Sequence, residues 1–225
     1  MNPERNASAV FTGQEVVVHN YRYFYYLANE MAYHSTNEKE AINSFRYAMG
    51  TVIFSFTTIE VFVNHVFLSD EYKVSELLTS MSDELKKKIE WLDLREKIEF
   101  ILMFHPNSKV RKINRGEEPF QSFDLLRELR NFLIHYKPKE EVVYSTKEEY
   151  LNQMIKLEKS ARSKFKINDA TSGDPIGQAF VYRCFNKDCA LWAFDQVQPF
   201  LDWLCDALDI NRHTLKKEWQ LPSRA

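Results

Sequence analysis

Residues 47–68 constrain this chain more than any other stretch. The run is long and apolar enough to raise the question of a membrane span. It also carries Glu60, Asn64 and His65, and an ionisable group deep in lipid is costly. It therefore reads as a buried core helix with no membrane partner. Turn residues are scarce along the chain, with only five glycines: Gly13, Gly50, Gly116, Gly173 and Gly177. Many-stranded sandwiches and barrels need denser punctuation, so few, long helices are expected. Hydrophobic residues at 44% and aromatic residues at 14% exclude a disordered class and are enough for one core. One helical domain over residues 1–225 is the expectation.

Apolar spacing divides the chain into helices. The first covers about residues 14–35, with Val16, Val17, Tyr21, Phe24 and Leu27 at helical intervals. Thr36 and Asn37 signal a cap, and a second helix spans about 38–68. A short element over 73–79 follows. Ser82 and Asp83 then open a third long helix to Phe104, where His105-Pro106 stops it. A charged loop over 107–119 leads to a fourth helix at about 120–136, ended by Pro138. A fifth spans about 146–163. Residues 168–177 read as a loop and 180–184 as a short strand. A last helix covers about 187–208, kinked at Pro199, and Asn211 caps a short tail. The fold class is thus all-α: an up-and-down bundle of four to five long helices with short peripheral ones.

Charge and cysteines limit the function classes. A net charge of −2 gives no global field toward nucleic acid or membrane, so electrostatic binding needs a local patch. Cys184, Cys189 and Cys205 are odd in number and form no Cys-x-x-Cys pair, which argues against a disulfide framework or zinc site. The N-terminal residues lack a basic-then-apolar leader pattern, so the cytosol is the expected compartment. No metal or cofactor is expected.

The fourth helix carries the chemistry. At about 100° per residue, Leu125, Leu129, Phe132, Leu133 and Tyr136 share one arc, suited to the protein's own core. Arg127, Glu128, Arg130, Asn131 and His135 share the opposite arc, with Ile134 among them. Arg130 and His135, five residues apart, flank one face that a phosphate can lie across. Arginine presents a planar fork of donors to phosphate oxygens. Histidine exchanges a proton near neutral pH. Together they permit RNA cleavage without a metal: His135 as general acid or base, Arg130 stabilising charge on the phosphate.

Arg130-Asn131-x-x-x-His135 resembles the Arg-x4-His signature of the HEPN superfamily, all-helical proteins that include many metal-independent ribonucleases. The stretch Ser55 to Asn64 on the long apolar helix, the Leu94-Arg95-Glu96-Lys97-Ile98 segment and a closing helix with Trp192 carry the resemblance further, over about residues 40–208. It implies a helical bundle that dimerises and brings two copies of the Arg/His helix into one cleft. It makes Arg130 and His135 the catalytic pair and Asn131 the polar residue after the arginine. A role as a toxin or phage-defence factor, with RNA or a nucleotide bound and an antitoxin as partner, is family habit. Toxin branches of the family usually place a tyrosine two residues after the histidine. Here that position is Lys137, and Tyr136 adjoins His135 instead.

Several features have a bland reading beside the functional one. Arg130 and His135 also suit a non-catalytic contact between subunits. Thr57, Glu60 and Asn64 form a polar stripe in which Glu60 either holds Arg130 or is satisfied internally by a tyrosine or tryptophan. His19, His34, His65, His105 and His213 lack metal-ligand spacing, and structural roles are expected. The aromatic run Tyr21 to Tyr26 suits core packing more than base stacking. Lys137 and Lys139 lie near the motif, and Lys156, Lys159, Arg162, Lys164 and Lys166 gather further on. These can track a phosphate backbone, but a solvated face is the default for such charge, as it is for Lys86-Lys87-Lys88.

Overall fold

A computed structural model describes residues 13–68, 74–110, 113–135, 144–169 and 176–210. Among them the protein is mostly helical and contains no strand. The helices are α1 (Gly13–Asn37), α2 (Ala41–Leu68), α3 (Val74–Thr79), α4 (Asp83–Glu90), α5 (Leu94–Phe104), α6 (Phe120–His135), α7 (Tyr144–Arg162), α8 (Ile176–Cys184), α9 (Lys187–Asp195) and α10 (Val197–Leu208).

The apolar run forms α2, the element around which the rest packs: α1, α3, α5, α6, α9 and α10 all touch it. Val52, Ile59, Phe62, Val63 and Val66 on it are fully buried. Among the described residues α2 alone is long and apolar enough to cross a membrane, and 61% of its most apolar window is buried inside the protein. Helices α1 and α2 form a hairpin whose short connection is tied by Glu38, which accepts from the N–H groups of Lys39 and Glu40. Ser35 and Ser44 bond across the hairpin to each other's carbonyls at 3.1 and 2.8 Å. At Gly50 the helices approach so closely that a Cβ would meet Met31 Sδ at 3.3 Å.

An aromatic stack fixes α6 in this frame. Phe56 of α2 lies 6.1 Å from Phe123 of α6, which stacks on Phe200 of α10 at 4.7 Å. Phe120 adds edge contacts to Phe123 and to Trp203. The faces of α6 follow from these anchors.

Three expectations need correction. The third long helix is two: α4 ends at Glu90 and α5 begins at Leu94. The cause is a capping box: the Asp93 side chain accepts from the Glu96 N–H at 2.8 Å, and Glu96 accepts from the Asp93 N–H at 2.9 Å. Ser82 does cap α4, accepting from the Leu85 N–H. Residues 180–184 are the end of α8 rather than a strand. Phe180 and Cys184, four apart, are both buried while Tyr182 between them is exposed, a helical period that overrides β-type local propensity. The final helix is also two, divided at Gln196, so the chain breaks rather than kinks. Pro199 is the third residue of α10, where its ring would collide with the Asp195 carbonyl of a continuous helix. The expected break at Ser69-Asp70, the stop at Pro138 and the Asn211 cap lie outside the described residues.

Candidate functional site

Helix α6 divides as its periodicity requires. Phe123, Leu125, Leu126 and Leu129 are buried, and Phe132 and Leu133 pack partly against the same core. Phe132 meets Phe180 edge-on at 5.4 Å, which joins the end of α6 to α8. On the other side Glu128 is exposed and Ile134 is 48% exposed, while Arg127, Arg130 and Asn131 are half-buried.

Arg130 sits where α6 crosses α2. Its guanidinium lies over the Phe56 ring at 5.2 Å, a cation–π contact. Nη1 donates to Asn131 Oδ1 at 3.0 Å, and Nη2 stands 3.9 Å from Glu60 Oε2. Among the described residues Glu60 thus has Arg130 beside it. Asn64, one turn further along α2, accepts from Lys97 Nζ of α5 at 3.0 Å instead. The polar stripe therefore serves two neighbours, and only its Glu60 step belongs to Arg130.

Spacing on α6 does not anticipate the next group. Arg95 of α5 donates to Asp124 Oδ1, and Arg127 approaches the same oxygen at 3.9 Å. Arg95 and Arg127 thus meet Asp124, Arg130 meets Glu60 and Lys97 meets Asn64 along one seam between α2, α5 and α6. The Nε donors of Arg95, Arg127 and Arg130 are all buried without an acceptor. The i, i+3 relation of Asp124 to Arg127 is visible in the sequence. The pairing of Arg95 with Asp124 is not, because only the tertiary fold brings them together.

His135 is the last residue of α6, five positions after Arg130, or about 7.5 Å along the helix axis. Its side-chain surroundings, and all of Tyr136, Lys137 and Lys139, lie outside the described residues. The site's arginine half is therefore laid out with its neighbours, and its histidine half by backbone position.

Two further histidines lie in the core. His65 is buried and stacks on Tyr21 at 6.4 Å, and His105 is buried with Nδ1 accepting from the Asn107 N–H at 3.2 Å. His34 lies 3.9 Å from Glu30 and stacks on Tyr47. The side chain of His19 and all of His213 lie outside the described residues. Tyr21 is in the core while Tyr23 and Tyr26 are exposed, the division a helix imposes on an aromatic run. Lys156, Lys159 and Lys166 are exposed, Lys164 pairs with Glu118, and Arg162 pairs with Glu158. Lys86 and Lys88 pair with Asp83 and Glu84 on the exposed side of α4.

The three cysteines are buried, and among the described residues no disulfide joins them. Burial, reinforced by Cys184, pushes the Cys189 thiol well up, away from thiolate chemistry. Among the described residues no three His, Cys, Asp or Glu side chains gather as a metal site. In comparisons with family models, curated proteins and solved structures, nothing matches this chain.

Proposed function

We propose that this chain is a metal-independent endoribonuclease of the HEPN type, in which two copies pair their α6 helices to form the cleft. Arg130 carries the reading. Its guanidinium is stationed at the half-exposed edge of α6 by Glu60, Phe56 and Asn131, with Nε still unmatched, on the helix that ends at His135. An arginine held in place by a carboxylate and a ring is set to receive a phosphate without further ordering.

In this scheme His135 takes the proton from a ribose 2′-hydroxyl. The 2′-oxygen attacks phosphorus, the bond to the 5′-oxygen breaks, and the leaving oxygen takes the proton that His135 now carries. Arg130 offsets the charge that grows on the phosphoryl oxygens. Glu60 and Asn131 orient Arg130, and Arg127, Lys137 and Lys139 supply positive charge for the backbone of the strand. The enzyme acts in the cytosol, as a toxin or phage-defence factor restrained by an antitoxin. End-labelled RNA incubated with the protein in EDTA tests the chemistry. The expected products carry 2′,3′-cyclic phosphate and 5′-hydroxyl ends. Products with 5′-phosphate, or cleavage abolished by EDTA, would exclude it.

A second reading keeps the cleft and removes the reaction: a dimer that binds RNA, a nucleotide or a partner protein. Ile134, half-exposed among polar neighbours on the same face, favours it. RNA that binds with salt-sensitive affinity but stays intact would select this alternative.

A further inference from the structure

We propose that Arg95 and Arg127 form a second phosphate site beside Arg130, in which Asp124 is the resident counter-anion that a backbone phosphate of RNA displaces. The inference rests on the reading of α6 as a surface that meets an RNA strand, but not on cleavage of that strand.

Two guanidinium groups, one from α5 and one from α6, converge on a single carboxylate oxygen, Asp124 Oδ1. Guanidinium carries five N–H donors, and two of them greatly exceed what one carboxylate accepts. The Nε atoms of Arg95 and Arg127 have no acceptor among the described residues and are sealed from solvent, so the incoming anion meets the Nη groups gathered at Asp124 Oδ1. One positive charge also remains after Asp124 is counted. A phosphate supplies more acceptor oxygens than a carboxylate, and the arginine fork suits it.

Position supports a strand as the ligand. Arg127 precedes Arg130 by three residues, so the two side chains stand one above the other on one helix face, about 4.5 Å apart along the axis. Neighbouring phosphates of one chain can then seat at Arg130 and at the Arg95–Arg127 pair. Asp124 and both arginines keep about a fifth of their side-chain surface exposed, at 22%, 21% and 21%. A carboxylate at that depth can turn outward when an anion replaces it. Helix α5, outside the Arg/His motif, thereby becomes part of the binding surface.

The test is fluorescence anisotropy with a fluorescein-labelled single-stranded 12-nucleotide RNA and the full chain carrying His135→Ala, so that the probe stays intact. Arg95→Ala is expected to weaken binding about tenfold, and Arg95→Lys nearly as much, because lysine keeps the charge but lacks the fork. Asp124→Asn is expected to tighten binding about threefold, a gain that loss of folding cannot mimic. Lys88→Ala on α4, with the same change in net charge as Arg95→Ala, is expected to leave affinity unchanged. If Arg95→Ala behaves like Lys88→Ala and Asp124→Asn binds no tighter, the Asp124 cluster is structural only and the proposal fails. Failure of the nuclease reading looks different: the chain with His135 intact leaves RNA whole while the Arg95 and Asp124 effects persist.

Discussion

Glu60 and Arg130 are 36% and 24% exposed and 3.9 Å apart, so water screens the attraction between them. Such a pair contributes about 0–1 kcal/mol to stability, and its main effect is orientation. Glu60→Gln is therefore expected to leave the melting temperature nearly unchanged while lowering the single-turnover rate of RNA cleavage several-fold. A large loss of stability with full activity would assign Glu60 to the core instead. Glu158 has the opposite balance. Burial raises its carboxyl, but the bonds from Arg183 at 3.0 and 2.9 Å and from Arg162 outweigh this and hold it below the ordinary value. Its stabilisation is thus complete above about pH 4.3, the unfolded value, and is lost as pH falls through the lower folded value. Melting curves from pH 7 to 3 are expected to show Glu158→Gln less stable at neutral pH and less sensitive to acid. At this scale the face of α6 that carries Arg130 and Asn131 was legible from helical phase, whereas for Glu60 the sequence left Arg130 and an internal tyrosine or tryptophan as alternatives. The Arg95–Asp124 contact was not legible, since spacing within one helix says nothing about which neighbour it meets.

Helices were legible where apolar period and stop signals agreed. Residues 13–37 and 41–68 fall within a few positions of expectation, and His105-Pro106 ends α5 as read. One error came where a polar group inside a periodic run captured backbone donors. Asp93 follows Leu92 in such a run, and its cap with Glu96 outcompetes continuation of the helix. Asn186 acts likewise at α9, accepting from the Asp188 and Cys189 N–H groups at 2.9 and 3.0 Å while donating to the carbonyls of Lys166 and Arg183. Replacing Asp93 by Ala is expected to cost about 1 kcal/mol in urea unfolding, from loss of the cap. Asn186→Ala is expected to cost more, because it releases α8 and the segment before it as well as α9. Equal losses would mean that the Asn186 carbonyl bonds contribute nothing.

At the scale of the molecule, α2 is surrounded by the other helices, and packing its apolar side chains against theirs removes both from water. The Phe56, Phe123 and Phe200 stack joins α2, α6 and α10 through this core and sets the phase of α6. Phe123 is 1% exposed, so Phe123→Ala is expected to cost about 3–5 kcal/mol. Activity is expected to fall with the folded fraction at partial denaturation, as calorimetry and cleavage assays on one sample would show. That same phase brings Arg130, 24% exposed, beside Glu60 on the helix that ends at His135. The most direct test is the single-turnover cleavage rate of a labelled RNA, in EDTA, by the unaltered protein, Arg130→Ala and His135→Ala, each verified as folded by circular dichroism. Loss of a charge-stabilising donor lowers such rates about 10²–10³-fold, and loss of the acid/base group about 10²–10⁴-fold. Drops of those sizes in both variants are expected. Undiminished cleavage by either folded variant would refute a shared role for Arg130 and His135.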